Sequence, residues 1–198
     1  MLVTASFPST VRECASRQNQ GDVIGRDNAG GDADGAALDL AILGNGYFVA
    51  RDPETNESFA TQTGHFSVDE NGYLLAGGRA RLQGRTGGGL SPLGDLQINA
   101  AGLPPGSIPS STMLCYTVDE WGKITVQLSD GAWFLCGQVM LQNFEDPQAL
   151  ISEGNDLYSN MFAAGPLPAL AAPGSNGLGA IQSGALELSN AGQRSWSN

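Results

Sequence analysis

The stretch LDLAILGNGYFV, residues 38–49, decides the fold of this chain. Leu38, Leu40 and Ile42 alternate with Asp39 and Ala41, and this period of two is typical of a β-strand. The strand reaches Gly44-Asn45-Gly46, a sequence that can bind phosphate, turn a hairpin or let two backbones touch. A third glycine and a following helical pattern, which a dinucleotide site needs, are absent. We therefore interpret the stretch as an opening β-hairpin.

The β pattern continues through residues 38–84 and returns in residues 113–146 as a meander of about three strands. FSVDENGYL at Phe66–Leu74 recurs at an offset of 50 as YTVDEWGKI at Tyr116–Ile124. Each copy places an aromatic residue, a valine and two acids before a glycine, as a tight hairpin requires. The repeat therefore predicts one hairpin built twice in a single domain.

The chain has 198 residues, of which 28 are Gly and 10 are Pro, so turns are frequent and strands short. We expect an all-β fold: a compact multi-stranded domain of hairpins and meanders with long Gly/Pro-rich loops and at most short helical turns. One such turn begins at Pro147, capped by Asp146. The predicted organisation is an irregular N-terminal arm (1–36), a β domain (37–190) with a short Pro-rich connection (85–113), and a C-terminal tail (191–198).

Acids outnumber bases by 20 to 9, for a formal charge of −11. Such a surface repels nucleic acid and anionic membranes, so we predict neither as a partner. No apolar run approaches the ~20 residues that span a bilayer, and no secretory signal opens the chain.

Residues suited to catalysis or metal binding are few. His65 is the single histidine, and it lies within a predicted strand. The acid pairs Asp69-Glu70, Asp119-Glu120 and Glu145-Asp146 lie beside turns, where carboxylates bond backbone amides. We therefore expect no enzyme, no cofactor and no metal site.

The three cysteines form no zinc-binding pattern. They are interpreted as small apolar residues, with a Cys115–Cys136 disulfide across the sheet as the alternative.

These motifs together resemble the bacterial flagellar axial proteins, which are the hook protein and the distal and proximal rod proteins. The first signature is LDLAILGNGYFV followed by FATQTGHFSVDENGYLLAGGRARLQG, with Gln62 and Thr63 where the family often has Arg and Asp or Asn. The second is GQVMLQNFEDPQALISEGNDLYSNMFAAGPL followed by GLGAIQSGALELSN. The resemblance covers about Ala37 to Asn190.

The resemblance assigns structural roles to the residues on the family's motif positions. They are Leu38, Asp39, Ala41, Ile42, Gly44, Gly46, Phe48, Gly64, Phe66, Val68, Asp69, Gly72, Gly84, Gly154, Asn155, Leu157, Tyr158, Gly184, Glu187, Ser189 and Asn190.

A member of this family is a structural subunit that packs with other axial subunits in a helical tube and transmits torque without catalysis. The resemblance implies export by the flagellar type III apparatus without a cleaved signal, and a place in the basal body or hook outside the cytoplasm. The long terminal heptad helices of the family have no counterpart in the sequence pattern, so the chain alone is expected to be a monomer or weak oligomer. Residues 85–113 are short where hook proteins carry an inserted domain, and this layout is closer to a rod protein.

Two other interpretations remain open. One is a stand-alone β module that binds glycan or peptide through Trp121, Trp133 and Trp196. The other is a hydrolase that uses the Asp/Glu pairs.

Overall fold

A computed structural model describes residues 12–13, 37–88, 92–98 and 112–184. Their regular structure consists of β-strands and one 3₁₀ turn, Pro147–Ala149, which agrees with the expected all-β class. The strands are β1 (Arg12–Glu13), β2 (Ala37–Leu43), β3 (Tyr47–Arg51), β4 (Ser58–Thr61), β5 (His65–Val68), β6 (Leu74–Ala76), β7 (Ala80–Thr86), β8 (Leu93–Asp95), β9 (Met113–Val118), β10 (Lys123–Leu128), β11 (Trp133–Val139), β12 (Leu141–Phe144), β13 (Ile151–Gly154), β14 (Leu157–Ser159), β15 (Pro166–Ala171) and β16 (Ala180–Ser183). Within the described ranges, no helix has the length and apolar character needed to cross a bilayer.

Strand β7 is the centre of the topology. The main hydrogen-bonded path runs β1-β9-β10-β11-β7-β3-β4-β14-β13. The first half of β7 lies between β3 and β6, and its second half lies between β8 and β11. One seven-residue strand therefore joins the N-terminal hairpins to the β9-β10-β11 meander.

A single large hydrophobic core lies under these strands, with a smaller cluster around Phe144 and Ala164. Phe48 and Phe66 meet edge to face at 5.1 Å between ring centroids. Each such fully buried aromatic side chain stabilises the fold by about 1.5–3 kcal/mol through burial alone. The largest fully buried side chains are Tyr116, Phe48, Phe66, Leu38, Leu74, Leu82, Leu96, Ile98, Ile124, Leu128, Met140 and Leu141.

The predicted repeated hairpin is confirmed in its details. In the β5–β6 turn, Asp69 Oδ1 accepts hydrogen bonds from the backbone N–H of Asn71 and Tyr73 at 2.9 and 2.8 Å. In the β9–β10 turn, Asp119 Oδ1 accepts from Trp121 and Lys123 at 3.0 and 2.8 Å. The glycine of each turn has a positive φ, 87° at Gly72 and 75° at Gly122.

The repeat also extends to a third segment that the sequence comparison missed. In both copies a glutamine lies opposite the residue that follows the turn glycine. The glutamine side chain and the backbone N–H of the residue after the glutamine each donate a hydrogen bond to a carbonyl of the turn. In the first copy, Gln97 Nε2 donates to the Asn71 carbonyl at 2.7 Å, and the Ile98 N–H donates to the Gly72 carbonyl at 2.8 Å. In the second copy, Gln138 Nε2 donates to the Trp121 carbonyl at 2.9 Å, and the Val139 N–H donates to the Gly122 carbonyl at 2.8 Å. The duplicated unit therefore includes a third segment besides the two strands of the hairpin.

Two local predictions meet different outcomes. The helical turn is confirmed, because Asp146 Oδ1 caps Pro147–Ala149 by accepting from the Gln148 N–H at 3.1 Å. The Cys115–Cys136 disulfide is wrong. Cys115 is disulfide-bonded, whereas Cys136 keeps a thiol that donates to the carbonyl of Gln97 at 3.0 Å. The small apolar interpretation therefore does not hold for Cys115 either.

The predicted hairpin at Gly44-Asn45-Gly46 is also wrong, because β2 and β3 do not pair with each other. Strand β2 pairs with β16 and β5, and β3 pairs with β4, β7 and β12. Both glycines have φ near +130°, at 126° and 135°, rather than the left-handed values of a hairpin turn. The turn passes the chain from one region of the sheet to another.

We expect the carboxylates of Asp69 and Asp119 to contribute more to the free energy of unfolding than those of the adjacent Glu70 and Glu120. Truncation to Asp69→Ala or Asp119→Ala leaves two turn N–H groups without their acceptor, which costs about 1–2 kcal/mol of unfolding free energy. Matched controls are Glu70→Ala and Glu120→Ala at the exposed tips, which should stay within about 0.5 kcal/mol of wild type. Urea unfolding measures all four, and equal losses in variants and controls would contradict the assigned role.

Candidate assembly surface

The first and last described strands of the domain, β2 and β16, pair with each other. Their antiparallel register runs from Leu43 opposite Ala180 to Leu40 opposite Ser183. The Gly184 N–H then donates to the carbonyl of Asp39 at 2.9 Å. The chain therefore enters β2 and leaves β16 at one place, and the N- and C-terminal signatures meet there.

Asp39 also bonds to His65 across the β2–β5 pair. The Asp39 Oδ1 lies 2.6 Å from the His65 Nδ1, and the two residues are register partners. Both side chains are partly exposed to solvent. The pair ties β2 to β5. Across the described residues, no group of three or more His, Cys, Asp or Glu side chains comes together in a way that could hold a metal ion.

Gly64 lets β2 approach the segment between β4 and β5. The Leu40 N–H donates to the carbonyl of Gly64 at 2.9 Å. A Cβ on Gly64 would lie 1.6 Å from the carbonyl oxygen of Leu40, a distance that no packed atoms tolerate. Glycine is therefore required here by space, and the contact fixes Leu40 with its buried neighbour Leu38 in the core.

At the Gly44-Asn45-Gly46 turn, two backbones lie in close contact, which is one of the three uses that this sequence allows. The Gly179 N–H donates to the carbonyl of Asn45 at 2.7 Å. A Cβ on Gly44 would lie 3.0 Å from the Cα of Gly179. The turn thus holds the segment that leads into β16.

The second signature forms the β13–β14 hairpin. Asn155 and Asp156 have φ of 49° and 58°, the two positive values of a tight type I′ turn. Leu157 is buried, and Tyr158 is the register partner of Ala60 in β4. Burial, and secondarily the neighbouring Tyr158, raise the pKa of the Tyr47 phenol. The hairpin is therefore attached to the N-terminal half of the domain.

The other motif residues divide into core, turn and undescribed positions. Ala41, Phe48, Phe66 and Val68 are buried, and Ile42 packs against the core. Gly46, Gly72, Gly154 and Gly184 have positive φ. Gly84 has the carbonyl of Gln138 2.2 Å from where its Cβ would be. Glu187, Ser189 and Asn190 lie outside the described residues.

An ion-pair cluster around Asp95 was not predicted from the sequence. Arg51 and Arg81 contact its two carboxylate oxygens at 2.7 and 3.2 Å, and Gln83 Nε2 donates to it at 2.8 Å. Burial alone would raise the pKa of Asp95, but the hydrogen bonds from Gln83, Arg51 and Arg81 and the charge of Arg51 outweigh it, so the pKa is lowered. The residues come from β3, β7 and β8, and no local sequence pattern joins them.

The two alternative interpretations receive little support from these positions. Trp121 and Trp133 are 53% and 49% exposed, as a binding module needs. They lie at opposite ends of the six-residue strand β10, however, roughly 20 Å apart, so they form no common platform. Asp69, Asp119 and Asp146 bond turn amides, which is the structural use expected of them.

The steric role of Gly64 gives a direct test. Gly64→Ala places a methyl group on the Leu40 carbonyl, so strands must separate, and we expect a loss of more than about 3 kcal/mol or no folded protein. The matched control is Gly94→Ala in β8, where the new Cβ meets the Thr86 methyl at an ordinary 3.7 Å. Thermal unfolding compares them, and a Gly64→Ala variant as stable as Gly94→Ala would refute the close approach.

Asp95 should make stability fall in acid. Its folded-state pKa is lowered, so its contribution is fully present above the ordinary value of about 4 and is lost as the pH falls through the lowered value. Asp95→Asn should therefore cost about 1–2 kcal/mol at neutral pH and almost nothing near pH 2. Urea unfolding of both proteins across this range measures the difference, and a pH-independent difference would contradict the ion-pair assignment.

Known proteins similar to this chain are flagellar. It is 29% identical over 157 residues to the flagellar basal-body rod protein FlgG of Bacillus subtilis, covering 79% of this chain and 52% of the relative. It is 33% identical over 156 residues to FlgG of Buchnera aphidicola subsp. Acyrthosiphon pisum, covering 78% and 51%. The flagellar hook protein FlgE of Salmonella typhimurium is 27% identical over 209 residues, covering 95% and 50%.

The chain thus spans about half the length of the curated relatives it matches. No protein-family model matches it. Similarity to rod and hook proteins over most of the chain makes it homologous to both. These relatives are rod and hook proteins of the flagellum, and the similarity identifies this chain as a homologue of them.

Proposed function

We propose that this chain forms the β domain of an axial subunit of the flagellar rod or hook, and that it acts by packing with like subunits in a helical tube that transmits torque. The observation that carries the proposal is the β2–β16 pair, through which the chain enters and leaves the domain at one place. Ala37 at the start of β2 and Gly184 after β16 lie at the same end of this pair, which would allow flanking segments to enter one inner layer of a tube.

The layout favours a rod-type subunit. The 85–113 connection is short, and its described part adds strand β8 and the buried side chains of Leu96 and Ile98 to this domain. This connection is too short to form an inserted outer domain of the hook type. The rod relatives support the same choice.

The structure of the domain suits a torque-bearing role. Its core is continuous across both halves, and strand β7 is hydrogen-bonded to four neighbours. At Gly64 and Gly84 the backbones of neighbouring segments approach too closely for a Cβ atom to fit between them. A close-packed interior of this kind has low compressibility and transmits strain.

The proposal also covers place and partners. The subunit functions outside the cytoplasm, in the basal body or hook, after export by the flagellar type III apparatus without a cleaved signal. Its partners are other axial subunits, either copies of itself or homologous rod and hook proteins.

Assembly can be tested by adding helical segments to the full chain. The terminal segments of the Bacillus subtilis rod relative, fused to the two ends, should convert a monomeric or weakly associating protein into tubes or rods visible by electron microscopy. The unfused chain is the control. A well-folded fusion that stays monomeric at high concentration in sedimentation experiments would overturn the proposal.

A further inference from the structure

We infer that Cys14 is the disulfide partner of Cys115, and that this bond holds strand β1 over one edge of β9. The bond needs an oxidising compartment, so the inference rests on the proposed function in placing the subunit outside the cytoplasm, where disulfides form and persist. Under reducing conditions the bond opens and β1 is released from the edge.

The cysteine content of the chain leaves one partner for Cys115. Cys115 is disulfide-bonded, and the sequence contains two other cysteines. Cys136 is not the partner, because it carries a thiol that donates to the carbonyl of Gln97 at 3.0 Å. The third cysteine is Cys14. A bond within one copy of the chain therefore joins Cys14 to Cys115.

Strand β1 brings the start of the chain to the same place. It is parallel to β9, with Arg12 opposite Cys115 and Glu13 opposite Tyr116. Cys14 follows Glu13 directly in the sequence, so it comes two residues after the register partner of Cys115. The number of cysteines and the register of the strands are independent observations, and both point to Cys14.

The bond acts on a strand that is too short to stay paired by itself. Strand β1 has 2 residues, whereas strands usually have about three to ten. It nevertheless covers one side of β9, whose other side pairs with β10. No other strand of the described residues pairs with β9. The covalent bond therefore keeps in place the one described strand that covers this edge.

The edge of β9 is a site that benefits from a cover. An uncovered strand presents unpaired N–H and C=O groups, with which another chain can pair. Leu114, which the β9–β10 register skips, is 51% exposed on the same strand and would add an apolar contact for such a chain. The disulfide thus protects the folded subunit from pairing at this edge.

The bond forms by thiol–disulfide exchange with a small disulfide such as oxidised glutathione. The thiolate of one cysteine attacks a sulfur of the oxidant, forms a mixed disulfide and releases one glutathione. The thiolate of the second cysteine attacks the mixed disulfide and releases the other glutathione. The two cysteines lose two electrons and two protons, and glutathione gains both as two thiols.

Trypsin separates the three cysteines and so tests the assignment directly. Cys14 lies in peptide 13–17, Cys115 in peptide 86–123 and Cys136 in peptide 124–194. The full chain is reoxidised with glutathione, alkylated at its thiols, digested without reductant and analysed by mass spectrometry. We expect peptide 13–17 joined to peptide 86–123, and peptide 124–194 alkylated at its cysteine. Alkylated Cys14, or peptide 86–123 joined to peptide 124–194 or to a second copy of itself, would overturn the assignment.

The melting temperature tests what the bond contributes to stability. It closes a loop of about 100 residues and so restricts the unfolded chain, which should make the oxidised protein melt about 5–10 °C above the reduced protein. Cys14→Ser and Cys115→Ser should each remove this difference, and the double variant should melt no lower than the single variants. The matched control Cys136→Ser keeps a donor for the Gln97 carbonyl and should retain the difference. Equal melting temperatures of oxidised and reduced wild type would contradict this contribution.

Hydrogen exchange tests whether the bond holds the cover strand. Backbone amides of residues 113–118 should exchange at least about tenfold faster in Cys14→Ser and in reduced wild type than in oxidised wild type. Amides of residues 47–51, in strand β3, are the internal control and should exchange equally in all three. If the amides of β9 exchange at one rate in the oxidised and reduced proteins, the bond does not hold β1 over the edge.

These outcomes are distinct from failure of the proposed function. If wild type gives no linked peptide, but fused chains with Cys14→Ser and Cys115→Ser still form tubes, the disulfide is rejected and the tube subunit is retained. If the wild-type fusion never assembles, but its digest contains peptide 13–17 joined to peptide 86–123, the tube subunit is rejected and the disulfide is retained.

Discussion

Strand β7 can lie beside β11 and beneath Leu96 only because Gly84 has no side chain. A Cβ there would lie 2.2 Å from the carbonyl of Gln138 and 2.8 Å from the side chain of Leu96. Gly137, on the neighbouring strand β11, is under the same constraint, with Leu96 3.0 Å from where its Cβ would be. The buried Leu96 thus packs over two glycines at the point where the meander joins the N-terminal hairpins. Any side chain at Gly84 would separate the two halves of the core.

The same device recurs where the two signatures meet. Gly64 against Leu40, and Gly44 against Gly179, bring backbones together without side chains between them. The first contact fixes β2 against the segment before β5, and the second fixes the segment that leads into β16, which pairs with β2. Gly44 and Gly64, which lie on motif positions of the resemblance, are therefore required for close backbone contacts around β2.

The acidic and the basic side chains are distributed differently along the chain. Asp69, Asp119 and Asp146 accept hydrogen bonds from backbone amides of turns, as expected for acids that lie beside turns. The basic residues are fewer and more concentrated, since Arg51, Arg79, Arg81 and Arg85 all lie between β3 and the end of β7.

The sequence by itself determined the β class, the repeated Asp-to-Gly turns and the Asp146 cap, because each depends on residues within about five positions of one another. Tertiary structure decided the rest. Local sequence could not distinguish the glycine turn after β2 from a hairpin. The direction of the turn depends on a backbone contact with Gly179, which is distant in sequence. Other features likewise depend on strands that are adjacent in space but 12–44 residues apart in sequence. They are the partner of Asp39, the absence of a Cys115–Cys136 bond and the Asp95 cluster. Local chemistry specifies turns, whereas strand order is set by burial and by backbone contacts that no local pattern records.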